Sequence, residues 1–120
     1  KTRDYPIEKA IKLCKKHNFQ RTMAYLYGRI GAIEKAFELY IKLAWESQNF
    51  EEFEIIDTEI IRLVRGNPCD EIWKKTLKEY FTLAQGKYLQ IFKKIEDLIE
   101  EISSILDFKE IFQVILIIFL

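Results

Sequence analysis

Apolar residues return at the three- and four-residue spacing of a helix face along nearly the whole chain, and no segment alternates as a half-buried strand does. With only 4 Gly and 2 Pro in 120 residues there is little material for turns, so long helices are favoured over many short strands. The 49% hydrophobic and 32% charged content suits a packed fold and argues against disorder.

The periodicity predicts about seven helices. A first spans Pro6 to His17, with Ile7, Ala10, Ile11 and Cys14 on one face and Asn18 ending it. Pro6 suits a first turn, where no N–H is needed. A second runs from Gln20 to Ile30 with Met23, Ala24, Tyr27 and Ile30 inward. A third runs from Ala32 to Ser47 on Ile33, Ala36, Phe37, Tyr40, Ile41 and Ala44, and a fourth from Glu51 to Arg65 on Phe53, Ile56, Ile60, Leu63 and Val64. Next, Gly66 is expected to stop one helix, Asn67 to cap the following one and Pro68 to open it. The fifth helix carries Ile72, Trp73, Thr76, Leu77, Tyr80, Phe81 and Ala84, and Gln85-Gly86 breaks it. The sixth runs from Lys87 to Leu106 with a stripe of Tyr88, Phe92, Ile95, Ile99, Ile102 and Leu106. Asp107 and Glu110 then form a capping box, with Leu106 and Ile111 as its apolar staple, before a last helix that is apolar nearly all round. Short connectors make neighbouring helices antiparallel. The fold class expected is therefore all-α, with helical hairpins stacked as a slice of an α-solenoid over residues 1–120.

The motif with the sharpest functional alternative is GRIG, residues 28–31. A G-x-x-G loop carrying a basic residue clamps nucleic-acid backbone in KH domains. That fold needs a sheet, and Gly28 lies in phase inside the second helix pattern. Gly31 is thus read as the corner of a hairpin, in a left-handed conformation that costs glycine little.

No catalytic, cofactor-binding or metal-binding set is apparent, and no cofactor is expected. His17 is the single histidine and sits at a helix C-terminus, where it suits capping. Cys14 lies on an apolar stripe and Cys69 near a helix start; they form neither a metal pattern nor a secreted framework, which suits a reducing cytosolic compartment. Net charge is zero but uneven: residues 1–42 hold ten Lys/Arg and four Asp/Glu, the rest nine and fifteen. The excesses of +6 and −6 either balance across solvated faces or leave a basic patch for an acidic partner. The aromatic residues fall mostly on helix stripes, so they read as core rather than a base-stacking platform.

The terminal VILIIFL run is far shorter than the roughly 18–20 residues a membrane span requires. It reads as core normally covered by neighbours, and the chain as a piece of a larger solenoid. That reading expects Ile111, Phe112, Ile115, Leu116, Ile118 and Phe119 to occupy too wide an arc for a single neighbour.

Residues 10–43, with Leu13-Cys14, His17, Ala24-Tyr25-Leu26, Arg29, Gly31 and Ala36-Phe37, resemble the clathrin-heavy-chain-type repeat of vacuolar-sorting tether subunits, the CORVET/HOPS group. The later DEIWKKTLKEYF and YLQIFKKIEDLIEEISSIL segments are similar in order to those of the CORVET-specific subunits. In that comparison Ala24 and Ala36 permit close helix approach, Gly31 turns the corner, and Leu13, Leu26 and Phe37 fill the core. The resemblance implies a non-enzymatic scaffold in vesicle-mediated transport to the endosome or vacuole. It also implies other tether subunits and an endosomal Rab GTPase as partners, and peripheral residence on endosomal membranes from the cytoplasm. Two alternatives stand beside it: a helical stalk for a downstream RING ubiquitin-ligase module, and an unrelated tetratricopeptide-like adaptor.

Overall fold

A computed structural model describes residues 6–119, with side chains to Leu116. Among these residues there are seven α-helices and no strand: α1 (Ile7–His17), α2 (Gln20–Arg29), α3 (Ile33–Glu46), α4 (Phe50–Gly66), α5 (Asp70–Gly86), α6 (Ile91–Ile102) and α7 (Phe108–Phe119). They fall into two compact units, Lys1–Asn67 and Pro68–Leu120.

In the first unit each helix packs on the next, α1 on α2, α2 on α3 and α3 on α4. The corners between α1, α2 and α3 are built alike. Asn18 takes a left-handed φ of 60° after α1, and the Phe19 N–H reaches back five residues to the Cys14 carbonyl at 2.8 Å. Gly31 takes φ 84° after α2, and the Ala32 N–H reaches the Tyr27 carbonyl at 2.9 Å. Both are Schellman-type ends that satisfy carbonyls the helix leaves open. Asparagine and glycine are the residues that enter this region most readily. GRIG is thus the end of one helix and a corner, as its phase predicts.

A Cβ on Gly31 would meet nothing within 4 Å, so only backbone strain opposes a side chain there. Gly31→Val is expected to cost about 1–3 kcal/mol and Gly31→Asn much less, read as urea midpoints by circular dichroism. Equal losses would mean that packing rather than φ governs the site.

Helices α2 and α3 pack together, and small residues on them are buried. Ala24 and Ala36 are fully buried, and Phe37 is 2% exposed. Gly28 lets α4 approach as well: a Cβ there would stand 3.2 Å from Leu63 Cδ1. Helix α4 starts on Asn49, whose side chain accepts the Glu52 N–H at 2.8 Å. Its interior face is Phe53, Ile56, Ile60 and Val64, as the periodicity predicts, while Leu63, expected with them, is only half-buried.

In the second unit α5 is central, packed by both α6 and α7. Its buried residues accordingly wrap well round the helix: Ile72, Trp73, Thr76, Leu77, Tyr80, Phe81, Leu83 and Ala84. The buried Thr76 hydroxyl is satisfied by the Ile72 carbonyl at 2.7 Å. Helix α7 starts on Asp107, which accepts the Glu110 N–H at 2.9 Å, one half of the expected capping box; the reciprocal bond from the Asp107 N–H to Glu110 is not formed among the described residues. The Glu110 carboxylate lies 3.5 Å from Lys74 of α5.

Several local expectations change. Asn67 closes α4 instead of opening α5, its amide donating to the Leu63 carbonyl at 2.9 Å, and Cys69 takes the N-cap position of α5. The sixth helix starts at Ile91, after a turn at residues 87–90, and ends at Ile102. Its buried stripe is Ile91, Ile95, Leu98 and Ile102; Phe92 is exposed and Ile99 half-buried. Ile95, Ile102 and Leu106 are buried as expected; a helix held by one neighbour buries only part of a broad apolar face, and here Ile91 and Leu98 complete that part instead of Phe92 and Ile99.

Candidate functional site

The six hairpin residues singled out by sequence separate into two groups. Ala24, Ala36 and Phe37 are buried together, and Gly31 forms the corner. Leu26 is only half-buried, and Leu13 is 58% exposed. Leu13 lies about 100° round the helix from Cys14, off the face that Ile7, Ala10, Ile11 and Cys14 share. It therefore fills no core within this unit. Ile30 likewise turns out to solvent, because α2 ends at Arg29 and Ile30 leaves its phase.

The clearest polar constellation lies across α2, α3 and α4. Arg21 grips Glu59 with a fork: Nε donates to both carboxylate oxygens at 3.0 Å, and Nη2 donates to Oε1 at 2.8 Å. These hydrogen bonds raise the Arg21 pKa further above its ordinary value. Beside them the Tyr40 hydroxyl is pushed up to about 12, first by burial and then by the Glu59 charge, against a lowering pull from Arg21 and Arg62. Next to this cluster Tyr25, Gly28, Arg29, Tyr40, Glu59, Arg62 and Leu63 line a depression of about 130 Å³. Sequence reasoning missed the constellation. Arg21 and Glu59 are 38 residues apart, and each looks like an ordinary solvated helix residue until the helices are stacked.

Two other surfaces stand out. The Lys9, Lys12, Lys15 and Lys16 side chains of α1 are exposed, with Leu13 and Phe19 exposed beside them. On α7, Phe108, Phe112 and Leu116 are 79%, 47% and 39% exposed, and the two phenyl rings stack at 5.9 Å. Ile111 and Val114 are buried. This agrees with the wide apolar arc expected there, and α5 is the helix that α7 packs against. Ile118 and Phe119 lie outside the residues whose side chains are described.

His17 stacks on Phe19, with centroids 5.8 Å apart. Cys14 is buried and Cys69 exposed, both as free thiols. A thiol reagent is expected to label Cys69 rapidly and Cys14 only on unfolding, since access controls the reaction. Mass spectrometry of the labelled chain checks this, and loss of the fast phase in Cys69→Ser assigns it. Among the described residues no group of three or more His, Cys, Asp or Glu could hold a metal ion. No helix among them is long and apolar enough to cross a membrane.

No protein-family model, curated protein or solved structure matches the chain. Function therefore rests on the residues themselves.

Proposed function

We propose that this chain is a non-enzymatic, protein-binding scaffold segment of stacked helical hairpins, part of a tether subunit acting in vesicle transport to the endosome or vacuole. The observation that carries the scaffold reading is the packing of α1 to α4, each helix on its successor, through residues as small as Ala24, Gly28 and Ala36. Helices stacked in order bury a continuous core and leave long flanks for partners. The exposed features fit binding better than chemistry: an arginine-lined depression, a lysine-rich helix face and an aromatic row.

The tether assignment is supported by the resemblance over residues 10–43, which fall on α1, α2 and α3. In this reading the partners are other tether subunits and an endosomal Rab GTPase, and membrane association comes through the assembly. The test is affinity purification and imaging of the tagged natural protein that contains this chain. Co-purification of tether subunits and enrichment on endosomes are expected. A diffuse distribution with no tether subunit recovered would overturn the assignment.

A further inference from the structure

We infer that the depression between α2, α3 and α4 is a docking point for one acidic peptide side chain, with Arg29 and Arg62 as its anion ligands. The inference rests on the scaffold reading and gives it a partner chemistry.

Two unspent positive charges face this depression. Arg29 and Arg62 both line it, both are exposed, and neither guanidinium has an ion pair or side-chain hydrogen bond among the described residues. The one carboxylate in the lining, Glu59, is already engaged by the Arg21 fork at 2.8–3.0 Å. Its repulsion toward an incoming anion is therefore largely cancelled, while Arg29 and Arg62 keep their donors. Guanidinium groups suit this role because their planar donor sets match carboxylate and phosphoryl oxygens. Tyr25 and Tyr40 add aromatic walls and phenol donors, and Leu63 with Gly28 adds an apolar floor. Arg62, Arg21, Glu59 and Tyr25 lie close enough to Tyr40 to act on its hydroxyl electrostatically.

The size selects the ligand. About 130 Å³ admits one oxyanion and the methylenes that carry it. A polyanion such as a nucleic acid strand is disfavoured by α4 itself, which carries Glu51, Glu52, Glu54, Asp57 and Glu59 along its length. A peptide bearing an isolated glutamate or phosphoserine fits both the positive pocket and the acidic helix around it. Closing the floor would weaken the site, and Gly28 keeps it open.

The experiment titrates the chain with three short peptides of Gly, Ser and Leu, identical except for a central Glu, phosphoserine or Gln. The readout is the arginine Nε–Hε resonances by NMR. The Glu and phosphoserine peptides are expected to shift Arg29 and Arg62 and to bind at least about tenfold tighter than the Gln peptide. Their ranking tells which oxyanion the site prefers. Arg29→Gln/Arg62→Gln should weaken both at least about tenfold. Lys35→Gln/Lys42→Gln removes the same charge elsewhere on this unit and should change binding by less than about twofold. Circular dichroism checks that both variants remain folded; an unfolded arginine variant is replaced by Arg29→Lys/Arg62→Lys, which keeps charge but loses the forked geometry. Equal binding of the Glu and Gln peptides, equal loss in the arginine and lysine variants, or tighter binding of a single-stranded oligonucleotide would overturn the proposal. The scaffold reading would still be decided separately, by recovery of tether subunits.

Discussion

Replacing Trp73 by alanine is expected to remove about 3–5 kcal/mol of stability. Trp73 is 2% exposed on α5, the helix that both α6 and α7 pack against. Truncation leaves a large cavity in the middle of that packing. The companion variant separates volume from polarity. The indole Nε1 is buried with no acceptor among the described residues, and an orphaned buried donor costs about 1–3 kcal/mol. Trp73→Phe keeps much of the ring and deletes the donor, so it should lose less than about 1.5 kcal/mol. Urea unfolding by circular dichroism gives the two losses, and hydrogen exchange should place them in α5, α6 and α7. If Phe is as damaging as Ala, the Nε1 proton has a native partner and this account of the site is wrong.

Stability should also fall in alkali, by about 1–2 kcal/mol between about pH 10 and about pH 12. The cause is Tyr40, held at about 12 in the fold against an ordinary value of 10.0. As pH rises through the unfolded value, the unfolded chain releases the phenol proton while the folded chain keeps it. The folded state then binds more protons, so each further step in pH favours unfolding until the folded group also ionises. Tyr40→Phe should flatten the stability curve in this window and change it little at neutral pH. Urea midpoints of the two proteins across the window decide the matter; parallel curves would show that Tyr40 is not the responsive group.

What could be read in advance follows from how local each signal is. The corner at Gly31 was legible because glycine after an in-phase apolar run has few other uses, and Asp107 because its partner N–H is three residues away. The turn at residues 87–90 was not legible. Lys87, Tyr88, Leu89 and Gln90 contain no turn former, and the bend is held by Lys87 and Tyr88 N–H groups both reaching the Leu83 carbonyl, at 2.8 and 3.0 Å. Missing it started the sixth helix four residues too early; Ile95, Ile102 and Leu106 are buried as expected, while Ile91 and Leu98 take the places expected of Phe92 and Ile99. Asn67 was assigned to the wrong helix because asparagine caps either end, and only the position of the Leu63 carbonyl decides between them. The arginine-lined depression is nonlocal in every part. Its residues come from three helices, and nothing within any one helix marks them as neighbours.

The close approach of Gly28 to Leu63 constrains how this sequence can drift. A methyl group at position 28 would sit 3.2 Å from Leu63 Cδ1, tight enough that the leucine must yield slightly. Volume gained at one position therefore has to be surrendered at the other. Homologous chains should show the two positions covarying in size, with alanine or serine at 28 accompanied by valine or a smaller residue at 63. The same trade can be staged in the laboratory: Leu63→Val should destabilise, Gly28→Ala sets a helix-propensity gain of about 1 kcal/mol against the crowding of Leu63, and the double mutant should be more stable than the sum of the two, a coupling of about 0.5–1 kcal/mol. Ancestry would then be recorded at this crossing as a pair of sizes, invisible in either column alone.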